Sequence, residues 1–294
     1  MSSYWFGDVT DKEGRCSIPA AGDKELLIAR LNAIRAKPGP FDPFTWHIAV
    51  RCGAVRDRTE YIARLREICI TDAERRIREI YTQKDAELLP MVRMLDEMDS
   101  VVNVLSERAA EWHQVRNPTF SRKYRKTPAH ILVRTMREKS RGALGRVAGR
   151  IEDLAAARTD LAKEVSARAN EVMPNTSALI GGLVAARLLS QAGGLRELSR
   201  LPASGIQVLG AKTALFAHLL THSPSPKHGI IFQHRRVHNA GKLVRGRVAR
   251  VLAGKLAIAA KIDYYRGEMD PVFLENAQKH IDTAGGESAS ALDR

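Results

Sequence analysis

The sequence predicts a mainly α-helical chain with three parts: a small mixed α/β N-terminal region, a long antiparallel coiled-coil hairpin and an all-helical C-terminal domain. Three observations lead there. The 294 residues are 44% apolar but only 5% aromatic, a globular composition that favours helices over sheets. A heptad seam runs through the middle of the chain, and in the second half Gly and Pro punctuate short helical stretches. The expected boundaries are 1–57 for the N-terminal region, 58–173 for the hairpin, 174–267 for the helical domain and 268–294 for a C-terminal tail.

In residues 1–57 turn signals fall at Gly7, Gly14, Gly22 and the run Lys37, Pro38, Gly39, Pro40. Between them 4–6 and 46–50 read as short strands and 25–36 as a helix. Cys16, Cys52 and Cys69 are odd in number and form no CxxC pair, so they read as reduced, buried thiols. Asp8, Asp11 and Glu13 interrupt any apolar run at the N-terminus. With no signal-like series and no membrane-length apolar window, a soluble intracellular protein is expected, without a membrane partner.

From 59 to 113 there is no Gly and Pro90 is the only Pro. Leu88, Met91, Leu95, Met98, Val102, Leu105, Ala109 and Trp112 recur at alternating steps of three and four, the seam of a coiled coil. After a basic, turn-rich segment at 117–128, a second long helix is expected over 129–172. Leu144, Val147, Ile151, Leu154, Leu161, Val165 and Val172 keep the same framework, with Arg158 and Arg168 where apolar residues belong. Two such helices joined by a short tip make an antiparallel hairpin. Its spare apolar surface implies a homodimer through the coiled coil or docking on a partner, against packing on the chain's own helices. The tail from 285 onward is polar and reads as disordered.

Charge is segregated. The chain carries +14 overall, and in 201–267 eleven Lys and Arg face the single acid Asp263. In 115–150 another eleven face only Glu138, which leaves the rest of the chain at −6. Fields of that density concentrate polyanions by counterion release, so nucleic acid is the first partner to consider.

The helix expected over 240–265 brings Arg247, Arg250 and Lys261 into one sector beside an apolar stripe, with Lys255 inside the stripe. Phosphate contact is preferred over a solvated charged face because no acids compensate. The Pro-stiffened loop 223–229 presents Lys227 and His228 where a phosphate or an unstacked base would lie, the alternative being a simple helix connection. Other chemistries are weaker. Residues 205–213 nearly spell a phosphate-binding loop, but Ala211 separates Gly210 from Lys212 where the motif needs them adjacent. His218 and His222 share a helical face, yet no Cys and only Asp263 accompany them, so no metal is expected. Nothing pairs a nucleophile with a base, and neither catalysis nor a cofactor is expected.

The segments PNTSALIGGLVAARLLSQAGGLRELSRLPASGIQVLGAKTALFAHL, PKHGIIFQ and GRVARVLAGKLAIAAKIDYY resemble the Nop-domain family, and LDEMDSVVNVLSERAAEW resembles its coiled coil. That family comprises the archaeal scaffold of C/D-box guide ribonucleoproteins, its nucleolar counterparts and a spliceosomal relative. The likeness covers about 59–267. It implies a non-catalytic scaffold in the cytoplasm of an archaeal cell. Its Nop domain would bind a kink-turn RNA together with the small ribosomal-type protein seated on it. Its coiled coil would pair two scaffolds, and its N-terminal domain would hold fibrillarin, the methyltransferase that modifies ribosomal RNA at ribose 2′-hydroxyls.

By position, the family's glycine-alanine-glutamate-lysine motif falls on Gly210, Ala211, Lys212 and Thr213, with Lys in place of the acid and Thr in place of the base. Lys227 and His228 fall on its RNA-facing loop, and Arg247, Arg250 and Lys255 on its basic helix. The region before Thr59 is shorter than the family's N-terminal domain. The alternative is therefore a Nop-domain protein that binds another kink-turn ribonucleoprotein without recruiting a methyltransferase.

Overall fold

The computed structural model describes residues 2–9, 16–17, 23–36, 45–117, 127–221 and 223–286. The chain divides into two compact units, Met1–Gln83 and Lys84–Arg294.

In the first unit, β1 (Ser2–Tyr4), β2 (Gly7–Val9) and β3 (Cys16–Ser17) form an antiparallel sheet in which Ser2 pairs with Val9 and Asp8 with Ser17. The helices are α1 (Lys24–Arg35), α2 (Trp46–Arg51) and α3 (Arg58–Tyr81). Asp57 accepts the Glu60 N–H at 2.8 Å while Glu60 reaches back to the Arg56 N–H at 2.7 Å, a reciprocal cap that starts α3. Trp5, Phe6, Ile28, Leu31, Tyr61 and Ile68 fill the core, with Trp5 Nε1 donating to Tyr61 Oη at 3.0 Å.

Three expectations change here. Residues 46–50 are helical, because a short apolar run has no periodicity to tell strand from helix. Residues 58–81, expected in the hairpin, belong with the N-terminal unit. Cys16 and Cys52 are joined in a disulfide with Cα atoms 5.5 Å apart, and only Cys69 is free. A pairing across 36 residues leaves no spacing signal in the sequence.

The second unit opens with α4 (Leu88–Arg116), α5 (Ala129–Lys139) and α6 (Ala143–Val172). Pro90 sits in the first turn of α4, where its missing N–H costs nothing. Helices α4 and α6 form the hairpin. The second helix does not run unbroken from 129: it interrupts at Ser140–Gly142, Gly142 takes φ 84°, and α5 packs on both long helices. Leu132, Val133 and Met136 there share a core with Ala109, Leu144, Ala148 and Ile151.

The seam is only partly as expected. Leu88, Leu95, Ala109, Leu144 and Ile151 are buried, and Met91, Met98, Val102 and Leu154 are half-buried. Leu105, Trp112 and Val147 are exposed, while Val92, Ser106 and Ala148 are buried instead. Ala109, Leu144 and Ala148 stay buried at the distal end because α5 packs on them, whereas Leu105, Trp112 and Val147 face away from that core. Arg158 fills its seam position by pairing with Asp99, and Arg168 pairs with Glu171 at 2.8 Å and Glu87 at 3.8 Å.

The bundle follows as α7 (Pro174–Ile180), α8 (Gly182–Ala192), α9 (Leu195–Arg200), α10 (Ala203–Val208), α11 (Lys212–Thr221), a 3-10 turn (Ile230–Gln233), α12 (Arg235–His238), α13 (Arg245–Tyr265) and α14 (Pro271–Gly286). Helix α13 is the central element: Val248, Leu252, Leu256 and Ala260 are buried in a core shared with Leu179, Leu189, Leu198 and Ile206 and with the hairpin root at Val92, Leu95, Val165 and Ala169. It starts at Arg245, not at 240. The segment 268–294, expected as a tail, holds α14, whose Ala277 and Ile281 join that core. Residues 287–294, most of the polar stretch read as disordered, lie outside the described residues.

Candidate nucleic-acid interface

The loop 223–229 is pinned by backbone. Gly229 N–H donates to Gln207 O at 2.9 Å and Ile230 N–H to Leu209 O at 2.8 Å, so the loop runs back along the end of α10. Gln207 Nε2 adds a bond to Lys227 O at 2.8 Å. The approach requires glycine: a Cβ on Gly229 would lie 1.9 Å from Leu209 O. Gly210, at φ 84°, packs on the Ile230 side chain from the other side of the turn.

This pinning brings Lys227 against α13. Its ammonium donates to Lys242 O at 3.4 Å, and it shares an open cavity of about 550 Å³ with Gln207, Pro226, Leu243, Gly246, Arg247 and Arg250. Of the residues singled out by sequence, Lys227, Arg247 and Arg250 therefore meet at one place. Lys255 does not join them. It is half-buried, about 80° round the helix from Arg247 and at the rim of the buried face.

Beside the cavity stands an aromatic stack. His228 lies on Phe232 with ring centroids 4.4 Å apart and planes 15° from parallel, and His238 closes on Phe232 at 4.9 Å. The Arg245 guanidinium sits 5.2 Å over the Phe232 ring, held by Ala240 O at 3.2 Å and His238 O at 3.4 Å. Burial, then the Arg245 charge and, less, Lys227, push the His228 imidazole below its ordinary range. It is a neutral, partly accessible ring, suited to stacking rather than to charge pairing.

The field is one-signed for a structural reason. Asp263, the only acid in 201–267, is buried and accepts from Asn175 N–H at 2.9 Å, Asn175 Nδ2 at 2.8 Å and Thr176 N–H at 2.8 Å, capping the start of α7. The surface built by this segment thus carries no carboxylate of its own.

Lys212 and Thr213 are exposed in the first turn of α11, preceded by Gly210 and the half-buried Ala211. A cation there opposes the helix dipole and is favoured only when an anion arrives. Sequence reasoning missed that α11 buries nothing: Phe216, Leu219 and Leu220 are 61%, 62% and 80% exposed, and Leu243 near the cavity is 90% exposed. The signal was the apolar run ALFAHLL, broader than one helix face needs.

The near phosphate-loop at 205–213 is the end of α10, a turn and the start of α11, with no strand before it. His218 Nδ1 contacts Ser223 O, and His222 lies outside the described residues. Among the described residues no three His, Cys, Asp or Glu converge on a metal position, and no helix is long and apolar enough to cross a membrane.

A helical hairpin is thus rooted in an all-helical bundle that carries a basic, aromatic-flanked cavity. The Nop family, described as snoRNA binding domain, fibrillarin, matches residues 67–283, and the chain belongs to it. It is 32% identical to a NOP5 family protein of Methanocaldococcus jannaschii over 242 residues, covering 70% of this chain and 58% of that protein. With nucleolar protein 56 of Caenorhabditis elegans it shares 31% identity over 62% of this chain and 46% of the relative. The chain thus spans about half the length of these relatives. A chain from the crystal structure of a fibrillarin/Nop5p complex aligns with a TM-score of 0.53 and 28% identity, covering 96% of this chain and 98% of that one.

Proposed function

We propose that this protein is an RNA-binding scaffold of a C/D-box-type guide ribonucleoprotein. It engages a kink-turn RNA together with its small ribosomal-type protein and presents fibrillarin for 2′-O-methylation of ribosomal RNA in the archaeal cytoplasm. The observation that carries this is the convergence of Lys227, Arg247 and Arg250 on one cavity beside the His228 and Phe232 stack. Cations for phosphate next to a neutral ring for a base are what a folded RNA with an unstacked nucleotide requires. The likeness to Nop5p in a fibrillarin complex, over nearly the whole chain, supports methyltransferase recruitment.

The scaffold itself is not catalytic in this reading: it binds and positions. Lys212 and Thr213 lie at the edge of the RNA surface, Lys255 acts by packing, and the exposed strip of the hairpin pairs two copies.

The test is a gel shift of the full chain with a kink-turn RNA preloaded with its ribosomal-type protein, followed by addition of archaeal fibrillarin. A stepwise shift by both supports the scaffold. Binding of the RNA complex without fibrillarin favours the reading in which another kink-turn ribonucleoprotein is bound, and no shift at low salt removes the RNA reading altogether.

A further inference from the structure

A second cationic cleft lies across the 239–246 segment from the first. One cavity, of about 540 Å³, is lined by Gly181, Gln233, His234 and Gln278 together with Arg235, Arg236 and Asp282. Another, of about 450 Å³, is lined by Asn239, Gly241 and Val244 and by the same Arg235, Arg236 and Asp282. The two arginines therefore stand in the middle of one elongated, open trough. Val244 lines this trough while its neighbour Leu243 lines the cavity of Lys227, Arg247 and Arg250, so adjacent residues of one segment line both.

Two features make the trough more than a solvated charged face. Arg235 is exposed and forms no ion pair within 4.0 Å among the described residues, the nearby Asp282 being paired with Arg236. Arg236 is held instead by Asp282 at 2.7 Å, and Gln278 Nε2 steadies the same carboxylate oxygen from 3.1 Å. An exposed pair of this kind contributes little to stability, because water screens it and both side chains lose freedom. It does keep one guanidinium occupied until a stronger anion competes for it. Gly181, which precedes α8 and provides no side-chain cap, also lines the trough.

Building on the RNA reading above, we propose that this trough binds phosphodiesters of the RNA strand that leaves the Lys227, Arg247 and Arg250 cavity, with Arg235 and Arg236 as the phosphate ligands and Asp282 as the group displaced from Arg236. The shape favours a strand over a compact anion: the lining is open along its length and the cations sit at its centre. A guanidinium fork suits phosphate oxygens, and two such contacts lengthen the footprint of the RNA without reading its sequence.

The experiment uses the full chain and two probes: a kink-turn RNA preloaded with its ribosomal-type protein, and the same RNA with one flanking strand lengthened. Binding is followed by anisotropy across a salt series. For the lengthened RNA, R235Q with R236Q is expected to weaken binding about tenfold and to make the salt slope shallower by about two, one per phosphate lost. The short RNA should be nearly unaffected. D282N should do the reverse, tightening the lengthened RNA several-fold by releasing Arg236. A damaged fold would weaken binding, so this gain cannot arise from misfolding.

Equal binding of both RNAs by wild type and R235Q/R236Q overturns the trough assignment while leaving the first cavity in place, provided R247A/R250A weakens both. Weaker binding by D282N overturns the displacement step. If inorganic phosphate raises the melting temperature of the wild type but not of R235Q/R236Q, with RNA binding unchanged, the trough is a free-anion site and the strand assignment is wrong. Absence of any RNA binding by wild type sinks the RNA reading itself, and the trough with it.

Discussion

Arg187 on α8 and Asp99 on α4 meet at 3.1 Å, and the other oxygen of that carboxylate takes the guanidinium of Arg158 from α6. Arg187 also holds Asp96 at 3.1 Å and donates to Gln233 Oε1 at 3.0 Å, at the end of the 3-10 turn that follows the pinned loop. One side chain thus joins the hairpin to the segment that carries His228 and Phe232.

Replacing Arg187 with Met should take the guanidinium from Asp96 and leave Asp99 with Arg158 alone, and lower stability by about 1–2 kcal/mol, since the group is largely but not wholly buried. Arg187→Lys should recover only part of this, because an ammonium cannot span three acceptors in a plane. Chemical denaturation reads both. Wild-type stability in the Met variant would mean that the junction rests on its apolar contacts alone.

The double substitution R247A/R250A is expected to weaken RNA binding at least tenfold and to flatten its dependence on salt by about two. Both side chains are exposed at the cavity, so RNA binding should fall far more than the melting temperature does. A full salt slope in the variant would place the phosphate contacts elsewhere.

Much of this interface was legible because it rests on composition and period. Arg247 and Arg250 share a helix face by spacing alone, and the prolines around Lys227 mark a stiff loop. That Lys227 reaches Arg247 and Arg250 was not legible, since it depends on Gly229 meeting Leu209 across the intervening residues 210–228. The helical angle of Lys255 put it inside the apolar stripe, where it is half-buried, and only the family resemblance grouped it with Arg247 and Arg250. In the hairpin, the heptad pattern fixed which helices pair. It did not reveal that α5 would separate from α6 at Gly142, or that Ala148 would replace Val147 at the interface, because both depend on the third helix packed there. Arg187 gave no signal at all: its partners come from two other elements.

Gly229→Ala tests the loop pinning directly. The added methyl would sit 1.9 Å from Leu209 O, against backbone that the Gly229 and Ile230 N–H bonds hold in place. Relief requires the loop to move off α10, at a cost on the order of 1–3 kcal/mol. RNA affinity should fall further than stability does, since Lys227 and His228 both ride on the displaced segment. Unchanged RNA binding would show that their positions are not set by this contact.

The exposed strip of the hairpin separates folding from self-association. Leu95 is fully buried in the core at the hairpin root, so Leu95→Asp should unfold the second unit, costing several kcal/mol for an unpaired buried charge. Leu105 and Trp112 are more than a third exposed, as are Val101 and Val104 beside them. Leu105→Asp with Trp112→Gln should therefore keep the helical signal and lower the mass measured by light scattering from that of a pair to that of one chain. A wild type that is already a single chain at micromolar concentration would remove the pairing role from this strip.

The last expectation concerns acid. Asp72 on α3 is almost wholly buried, and its carboxyl is held below its ordinary value of 3.8, first by the Asn32 Nδ2 bond at 3.0 Å and then, against the opposing effect of burial, by Arg76 and Arg75. A carboxylate depressed in the folded state adds stability that is fully present above 3.8 and is lost as pH falls through the lower folded value. Asn32→Leu removes the largest of these stabilising contacts, so it should destabilise the first unit at neutral pH. The difference from wild type should shrink as the solution is acidified below 3.8, where the unfolded chain takes up the proton before the folded one does. Urea denaturation at neutral and acidic pH measures that difference. A gap that stays constant with pH would mean that Asn32 acts through packing and not through the charge on Asp72.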